Sequence, residues 1–322
     1  MIVVTGAAGF IGSNLVAKLE ENGLGPLVVC DTLGSDERWQ NLKRRAIVDL
    51  ISPEDLKPFL ERHGHDVQMI YHLGANSSTT ETNADLMMSM NFKFSMMLLE
   101  MCRQQDIRLV YASSAATYGD GSVGFDDASP LANLVPLNVY GWSKHLFDRC
   151  VEAAGSRVPP QCTGLKFFNV YGPNEYHKGD MQSVVSKTFR QISQGEPARL
   201  FKSHREGFED GGQLRDFIWV GDCVDTMIWL YHHPQVSGLF NLGTGKARSF
   251  YDLAVAVFKA LGKDPVIEFV DMPLSLQPKY QYFTEAVMTR LRGTGYDAPF
   301  TSLEEGVRQY VQQYLVKADP YR

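Results

Sequence analysis

The feature that most restricts this chain is a glycine run near its start. Gly6-Ala7-Ala8-Gly9-Phe10-Ile11-Gly12 follows the apolar stretch 2–5 and opens a helix-like stretch at 11–22. Glycines at this spacing let the backbone turn tightly and approach a pyrophosphate, whose charge then rests on the free N–H groups of a helix N-terminus. That geometry needs a strand, a loop and a helix in immediate succession, so the chain begins as a βα unit. Asp31 stands at the end of the next apolar run, nineteen residues beyond Gly12, where a carboxylate meets the adenosine ribose of a dinucleotide. Gly6, Gly9, Gly12 and Asp31 are therefore candidate dinucleotide contacts. Asp31 alone favours NAD, because its charge repels a 2′-phosphate. Arg38, Lys43, Arg44 and Arg45 follow closely, and Arg38 is placed to neutralise such a phosphate, so NADP stays open.

The rest of the chain repeats the opening pattern. Apolar runs at 2–5, 27–31, 69–73, 108–113, 164–169 and 239–242 read as strands, and amphipathic stretches at 11–22, 53–62, 85–104 and 140–154 read as helices. Alternation of this kind predicts an α/β fold with a doubly wound parallel sheet of Rossmann type. Beyond Asn169 the alternation breaks against Pro173, Gly179, Gly195, Pro197, Gly207, Gly211 and Gly212. We therefore expect a dinucleotide domain over 1–170 with a return segment near 216–245, and a smaller α/β substrate domain from 171–215 and 246–322. Residues 201–215 mix Lys202, Arg205 and Arg215 with Glu206, Glu209 and Asp210 and read as a mobile surface loop.

Charge and composition narrow the function. Thirty-one Lys and Arg against thirty-seven Asp and Glu give a net charge of −6 over 322 residues, which argues against a nucleic-acid or membrane-surface partner. The five cysteines form no C-x-x-C pair and suit a reducing compartment. Met1 leads directly into Ile2-Val3-Val4 without a leader pattern, so the expected location is the cytoplasm. His63 with His65, and His232 with His233, have no carboxylate or cysteine at ligand spacing, and no metal site is expected. Methionines 87, 88, 90, 96, 97 and 101 fall at near-helical spacing and read as core or a subunit-packing face.

A second constellation points to chemistry. Tyr140 and Lys144 lie four residues apart, hence on one face of a helix, and Ser114 ends the strand before it. A phenol with a pKa near ~10 is a poor base at neutral pH, but a neighbouring ammonium and a cationic nicotinamide ring stabilise its phenolate. Ser114 can hydrogen-bond the same substrate oxygen. Gly141, Trp142 and Ser143 are expected only to pack.

With both constellations in place, the chain resembles the extended short-chain dehydrogenase/reductase family, which carries out hydride transfer on sugar nucleotides. The segments Ser77-Ser78-Thr79-Thr80-Glu81, Ser114-Ala115-Ala116-Thr117-Tyr118-Gly119, Pro136-Leu137-Asn138-Val139-Tyr140, Phe168-Asn169-Val170-Tyr171-Gly172-Pro173, His177-Lys178-Gly179 and Lys279-Tyr280-Gln281 are similar in particular to the ADP-glyceromanno-heptose 6-epimerase family. The resemblance runs along essentially the whole chain. It implies an isomerase that oxidises ADP-D-glycero-D-manno-heptose to a 6″-ketone and reduces it again on the other face, for lipopolysaccharide core heptose. It implies tightly bound NADP, with NAD as the alternative, and a homo-oligomer, a pentamer in the family.

Carried over by position, the implied cofactor contacts are Phe10, Ile11, Asp31, Thr32, Arg38, Leu73, Gly74, Ala75, Asn76, Ser77, Asn91, Tyr140, Lys144, Val170 and Lys178. The implied substrate contacts are Asn169, Asp180, Lys187, Phe201, Lys202, Ser203, His204, Arg215 and Tyr280. Tyr140 and Lys178 take the family's acid/base roles. The chain departs from the family pattern at Pro53, where a basic residue is usual, at Lys187, where His is usual, and in a longer 201–215 loop. Two rivals share the fold: a nucleotide-sugar 4-epimerase and a dehydratase. Ala115 and Ala116 stand where a dehydratase carries an Asp-Glu pair, which disfavours elimination. A non-catalytic nucleotide sensor would not need Ser114, Tyr140 and Lys144.

Overall fold

Aliphatic and β-branched runs build the centre of the molecule. The computed structural model describes every residue except Ser275, Pro278 and Lys279, so Lys279 of the quoted segment lies outside the described residues. In chain order the strands are β1 (Ile2–Thr5), β2 (Leu27–Cys30), β3 (Asp49–Ile51), β4 (Met69–His72), β5 (Arg108–Ser114), β6 (Cys162–Phe167), β7 (Asn169–Tyr171), β8 (Ala198–Phe201), β9 (Leu214–Trp219), β10 (Gly238–Leu242), β11 (Ala247–Ser249) and β12 (Ile267–Val270). The helices used below are α1 (Phe10–Glu21), α2 (Pro53–His63), α3 (Ala84–Met87), α4 (Phe94–Gln104), α5 (Val139–Ala154), α6 (Val184–Ser193), α7 (Val220–His232) and α8 (Phe250–Ala260).

Seven strands pair in the order β10-β6-β5-β4-β1-β2-β3, and every pair is parallel. Helices cover both faces, so β1, β2, β4 and β6 are buried along their whole length, and all but β6, which carries Thr163 and Lys166, read as mainly apolar runs. On one face Leu15, Val16 and Leu19 of α1 pack with Val224, Met227 and Ile228 of α7. On the other, Leu56 and Leu60 of α2 meet Leu98 and Met101 of α4 and Phe147 of α5. The strand order reverses between β1 and β4, and that switch point opens the crevice where ligands bind in such sheets.

The doubly wound parallel sheet is as expected, with three revisions. First, the run 164–169 is not one strand. β6 stops at Phe167, and Asn169 opens β7, which leaves the main sheet to pair in parallel with β9. No proline or glycine marks the break in the sequence; it comes from pairing, with the Phe168 N–H donating to Leu242 O and the Val170 N–H to Phe168 O. Second, alternation does not lapse after Asn169. β7, β9 and β11 form a three-stranded sheet and β8 pairs with β12, but these strands are short and several are only half-buried, so their pattern is faint. Third, the expected loop at 201–215 is narrower: Phe201 ends β8, and Leu214 and Arg215 already lie in β9.

The helix expected at 85–104 starts at Ala84, capped by the Asn83 side chain, and passes through a π-helical stretch at Met88–Lys93 before α4. Of its methionines, Met87 and Met101 are buried while Met90 is 46% exposed, so the stripe is only partly core. The five cysteines are all unpaired. Among the described residues no helix is long and apolar enough to cross a membrane.

Candidate active site

The glycine loop is built by close backbone approach. Gly6 has φ +67°, and a Cβ there would sit 2.5 Å from the Gly74 amide nitrogen. A Cβ on Gly12 would fall on the Gly6 carbonyl oxygen. Gly9 caps α1 with no side-chain acceptor, and the first turn contains no acidic residue. The N–H groups of the first turn therefore have no intrahelical partner and present positive charge, a donor set that fits a pyrophosphate.

Asp31 closes the adenosine side. Its carboxylate accepts the Ala8 N–H at 2.8 Å and the Thr32 N–H at 2.8 Å, which leaves lone pairs for ribose hydroxyls. Burial raises its pKa, while these bonds and the charge of Arg38 pull the other way. Arg38 lies close to Asp31, but its guanidinium forks onto Asp36, with Nη2 to Oδ2 at 2.6 Å. Asn41, which sequence reasoning missed, is buried and donates to Ala8 O at 2.7 Å and Asn174 O at 3.2 Å, clipping the glycine loop to the loop after β7.

Leu73, Gly74, Ala75, Asn76 and Ser77 form the edge that leaves β4. Gly74 donates to Thr5 Oγ1, and Asn76 exchanges bonds with Asn91: its N–H donates to Oδ1 at 2.8 Å and its carbonyl accepts from Nδ2 at 2.9 Å. Asn91 sits in the π-helical stretch and also donates to Ser143 Oγ at 3.0 Å, and Ser143 donates to Tyr140 O at 2.7 Å. Ser143 thus ties the β4 edge to the helix of Tyr140, a role beyond packing. Gly141 does pack: a Cβ would lie 2.7 Å from Ala116 O. Trp142 does not; it is 45% exposed.

Asn138 caps α5 through the Gly141 N–H and starts the helix just before Tyr140, which brings Tyr140 to Ser114 and Lys144 to the backbone of the strand that ends at Ser114. Burial raises the Tyr140 phenol, and a hydrogen bond from Ser114 holds it down. Lys144 donates to Ala112 O at 2.9 Å, and burial pulls its pKa down to about 8, with Asp148 opposing. Without the dinucleotide, desolvation dominates at the phenol, and the Lys144 ammonium bonds a backbone carbonyl.

Lys178 lies on the short turn Tyr176–Met181, with Nζ 5.5 Å from the centre of the Phe10 ring. Burial lowers its pKa against the pull of Glu175. It is half-buried and leans toward the start of α1. Val170 is half-buried on β7 and Asn169 is exposed at its start. Lys187 Nζ donates to Asp180 O at 2.6 Å, so these two meet on one edge.

Across the crevice, Arg215 is buried and stacks between aromatics, 5.1 Å from the Tyr280 ring centre and 5.7 Å from that of Phe250. It donates to Leu214 O at 2.8 Å and to Gln281 O, and among the described residues no carboxylate pairs with it. A buried guanidinium bonded only to carbonyls suits an anionic ligand group. Phe201 meets Tyr280 edge-on, at 6.3 Å between centres. Ser203 donates its N–H to Asp210 at 2.7 Å, and His204 shares a 2.7 Å contact with the Tyr282 hydroxyl. Lys202 pairs with Asp271 at 3.0 Å, both exposed, so it stands apart from Arg215 in character.

A model of the NAD dependent epimerase/dehydratase family matches residues 2–243. The chain belongs to this family. Relatives in it include an ADP-L-glycero-D-manno-heptose-6-epimerase of Nitratidesulfovibrio vulgaris, 51% identical over 325 residues and covering all of both chains. Another of the same name, from Fusobacterium nucleatum, is 47% identical over 332 residues, again covering all of both. The crystal structure of the Helicobacter pylori ADP-L-glycero-D-manno-heptose-6-epimerase superposes with a TM-score of 0.78 at 27% identity, covering 97% of this chain and 95% of that one. Family membership accounts for the empty-handed helix cap and for Asp31, which together fit a nicotinamide dinucleotide. Among the described residues no three His, Cys, Asp or Glu side chains come together to hold a metal ion.

Proposed function

We propose that this chain is an ADP-L-glycero-D-manno-heptose 6-epimerase, an isomerase that inverts C6″ of ADP-D-glycero-D-manno-heptose for lipopolysaccharide core heptose. The observation that carries the reading is 51% identity along the full length to a relative of that name, together with a retained Ser114, Tyr140 and Lys144 set. The bound dinucleotide supplies a hydride acceptor and then a donor. Tyr140 takes the proton of the C6″ hydroxyl as C6″ is oxidised to a ketone, and Ser114 holds the oxygen. Lys144 binds the ribose side and keeps positive charge near the phenol. After the ketone presents its other face, Lys178 or Tyr140 returns a proton to the oxygen, and net redox change is zero.

We assign the pyrophosphate of the dinucleotide to Gly6, Gly9 and Gly12, its adenosine ribose to Asp31 and Thr32, and the diphosphate and ribose of the substrate to Arg215, Phe201 and Tyr280. The division into a nucleotide part, 1–170 with its return near 216–245, and a substrate part follows from that assignment. For the cofactor we propose NADP, with Arg38 turning from Asp36 to the 2′-phosphate. A cytoplasmic homo-oligomer follows from the family resemblance. The experiment is incubation with ADP-D-glycero-D-manno-heptose, following C6″ by NMR. Accumulation of the C6″ epimer is the expected result. Inversion at C4″, loss of water, or no turnover by a nucleotide-loaded protein overturns the reading.

A further inference from the structure

The least explained charges in the molecule lie behind the acid/base pair rather than in the cleft. Lys166 on β6 and Asp148 on α5 form an ion pair, Nζ to Oδ2 3.1 Å, with both side chains at 0% exposure. Removing two ions from water costs several kcal/mol each, and an apolar pair would fill the same space without that cost. The neighbours are organised around the pair. The Ser113 hydroxyl donates to the same Asp148 oxygen at 2.6 Å, and Lys166 also donates to Thr117 Oγ1 and lies 4.9 Å from the Tyr118 ring centre. Every member adjoins the site: Ser113 precedes Ser114, Thr117 lies in the turn after it, and Asp148 is one helical turn beyond Lys144.

We propose that the Asp148–Lys166 ion pair positions and tunes the Tyr140–Lys144 couple, locking the strand end that carries Ser114 to α5 and holding a negative charge behind Lys144 in a dry site. The inference rests on the acid/base reading of Tyr140 and Lys144 given above. Asp148 opposes the burial that pulls Lys144 down to about 8, and it also raises Tyr140. The other groups facing this region do not duplicate it. His72 from β4 is pulled down to about 3 by burial and by Lys144, and is neutral. His145, on α5 itself, is lowered by burial and by Lys166. Tyr111 from β5 is held protonated by burial and by Asp148. Ser114 carries no charge.

The sign follows directly. Of the pair, Asp148 is the member that acts on both Tyr140 and Lys144, so neutralising the two charges together takes away a net negative neighbour, makes loss of a proton easier for both groups and moves both limbs of a pH–rate profile to lower pH. A purely structural pair lowers the rate without moving the profile. Single neutralising variants leave one buried charge unpaired and destabilise the fold, so the test uses Asp148→Asn/Lys166→Met together, with Lys166→Arg as the variant that keeps the pair. The double variant should fold and keep its dinucleotide, lose about tenfold or more in kcat with KM little changed, and show a profile about one pH unit lower. Lys166→Arg should restore the parent profile.

An independent reading is the 13Cε resonance of Lys144 in lysine-labelled protein, identified by its loss in Lys144→Met. Its titration midpoint should drop in the double variant. An unmoved profile and midpoint overturn the proposal. A parent protein that does not epimerise overturns the proposed function, while the Lys144 midpoint still decides this inference. Should the double variant fail to fold, Ser113→Ala removes one donor that compensates the Asp148 charge and should move the midpoint slightly the other way, upward; no shift there overturns the proposal too.

Discussion

The two walls of the crevice are built on opposite principles. The wall carrying Gly6, Gly12, Asn91, Ser143 and Tyr140 is made of backbones in contact and of hydrogen bonds that run unbroken from the β4 edge to α5. The facing wall presents side chains from β8, β9 and the loop 202–213, several of them exposed, with Arg215 a deeply buried cation among them. A wall of packed backbone has little room to relax, so it suits chemistry that needs fixed geometry. A wall of long side chains on a loop adapts at small cost, and suits recognition of a ligand's ends.

That contrast is broken most severely at the chemistry. Tyr140→Phe removes the phenolic oxygen and leaves the ring packed, so dinucleotide binding should persist while turnover falls at least ~10²-fold, as expected for a lost general acid/base. Lys178→Met should give a comparable loss, also with dinucleotide retained, measured by steady-state epimerisation beside nicotinamide fluorescence. A Lys178→Met protein that epimerises at the parent rate leaves Tyr140 to serve both faces of the ketone. Next in size is Arg215→Gln on the adaptable wall. It should raise KM for the nucleotide sugar by about 10- to 100-fold, the range for a lost charge-assisted bond, with kcat less affected. A fall in kcat at constant KM would move Arg215 from recognition into the chemistry.

Smaller effects sharpen the comparison. Arg38→Ala should weaken NADP about tenfold more than NAD, and Asp36→Asn should strengthen NADP by freeing the guanidinium that Asp36 now holds. Calorimetric titration of the stripped protein reads both; equal losses for the two dinucleotides would remove Arg38 from the 2′ position. Smallest is Lys202→Ala. Its exposed pair with Asp271 is worth well under ~1 kcal/mol, so stability should be unchanged and KM should rise only a few-fold. A large loss of substrate affinity would make the loop wall as demanding as Arg215.

Legibility in the sequence divided along the same line. The glycine run, Asp31 and the Tyr140–Lys144 spacing were readable because each encodes its geometry within one βα unit or one helix. Ser143 was not, since its partner Asn91 arrives through the π-helical stretch on another element. Asn41 joins Ala8 to Asn174 across the sheet end, and no local pattern marks such an asparagine. The raised Tyr140 phenol could not be read either, because desolvation depends on everything packed around a group and not on the residue four positions away.

By itself, then, the sequence determined the βα alternation, the parallel sheet and the turn at the first helix, all of which follow from periodicity and from where only glycine fits. The departure of β7 from the main sheet, the approach of Lys178 to the Phe10 ring, and the pairing of Lys166 with Asp148 were decided by tertiary structure alone. Each joins residues on different elements, and which elements meet is settled by how both faces of the sheet are covered. An ion pair at zero exposure is invisible in a sequence for the same reason that it matters in the fold: its strength and its cost both come from the absence of water, which no single segment can provide.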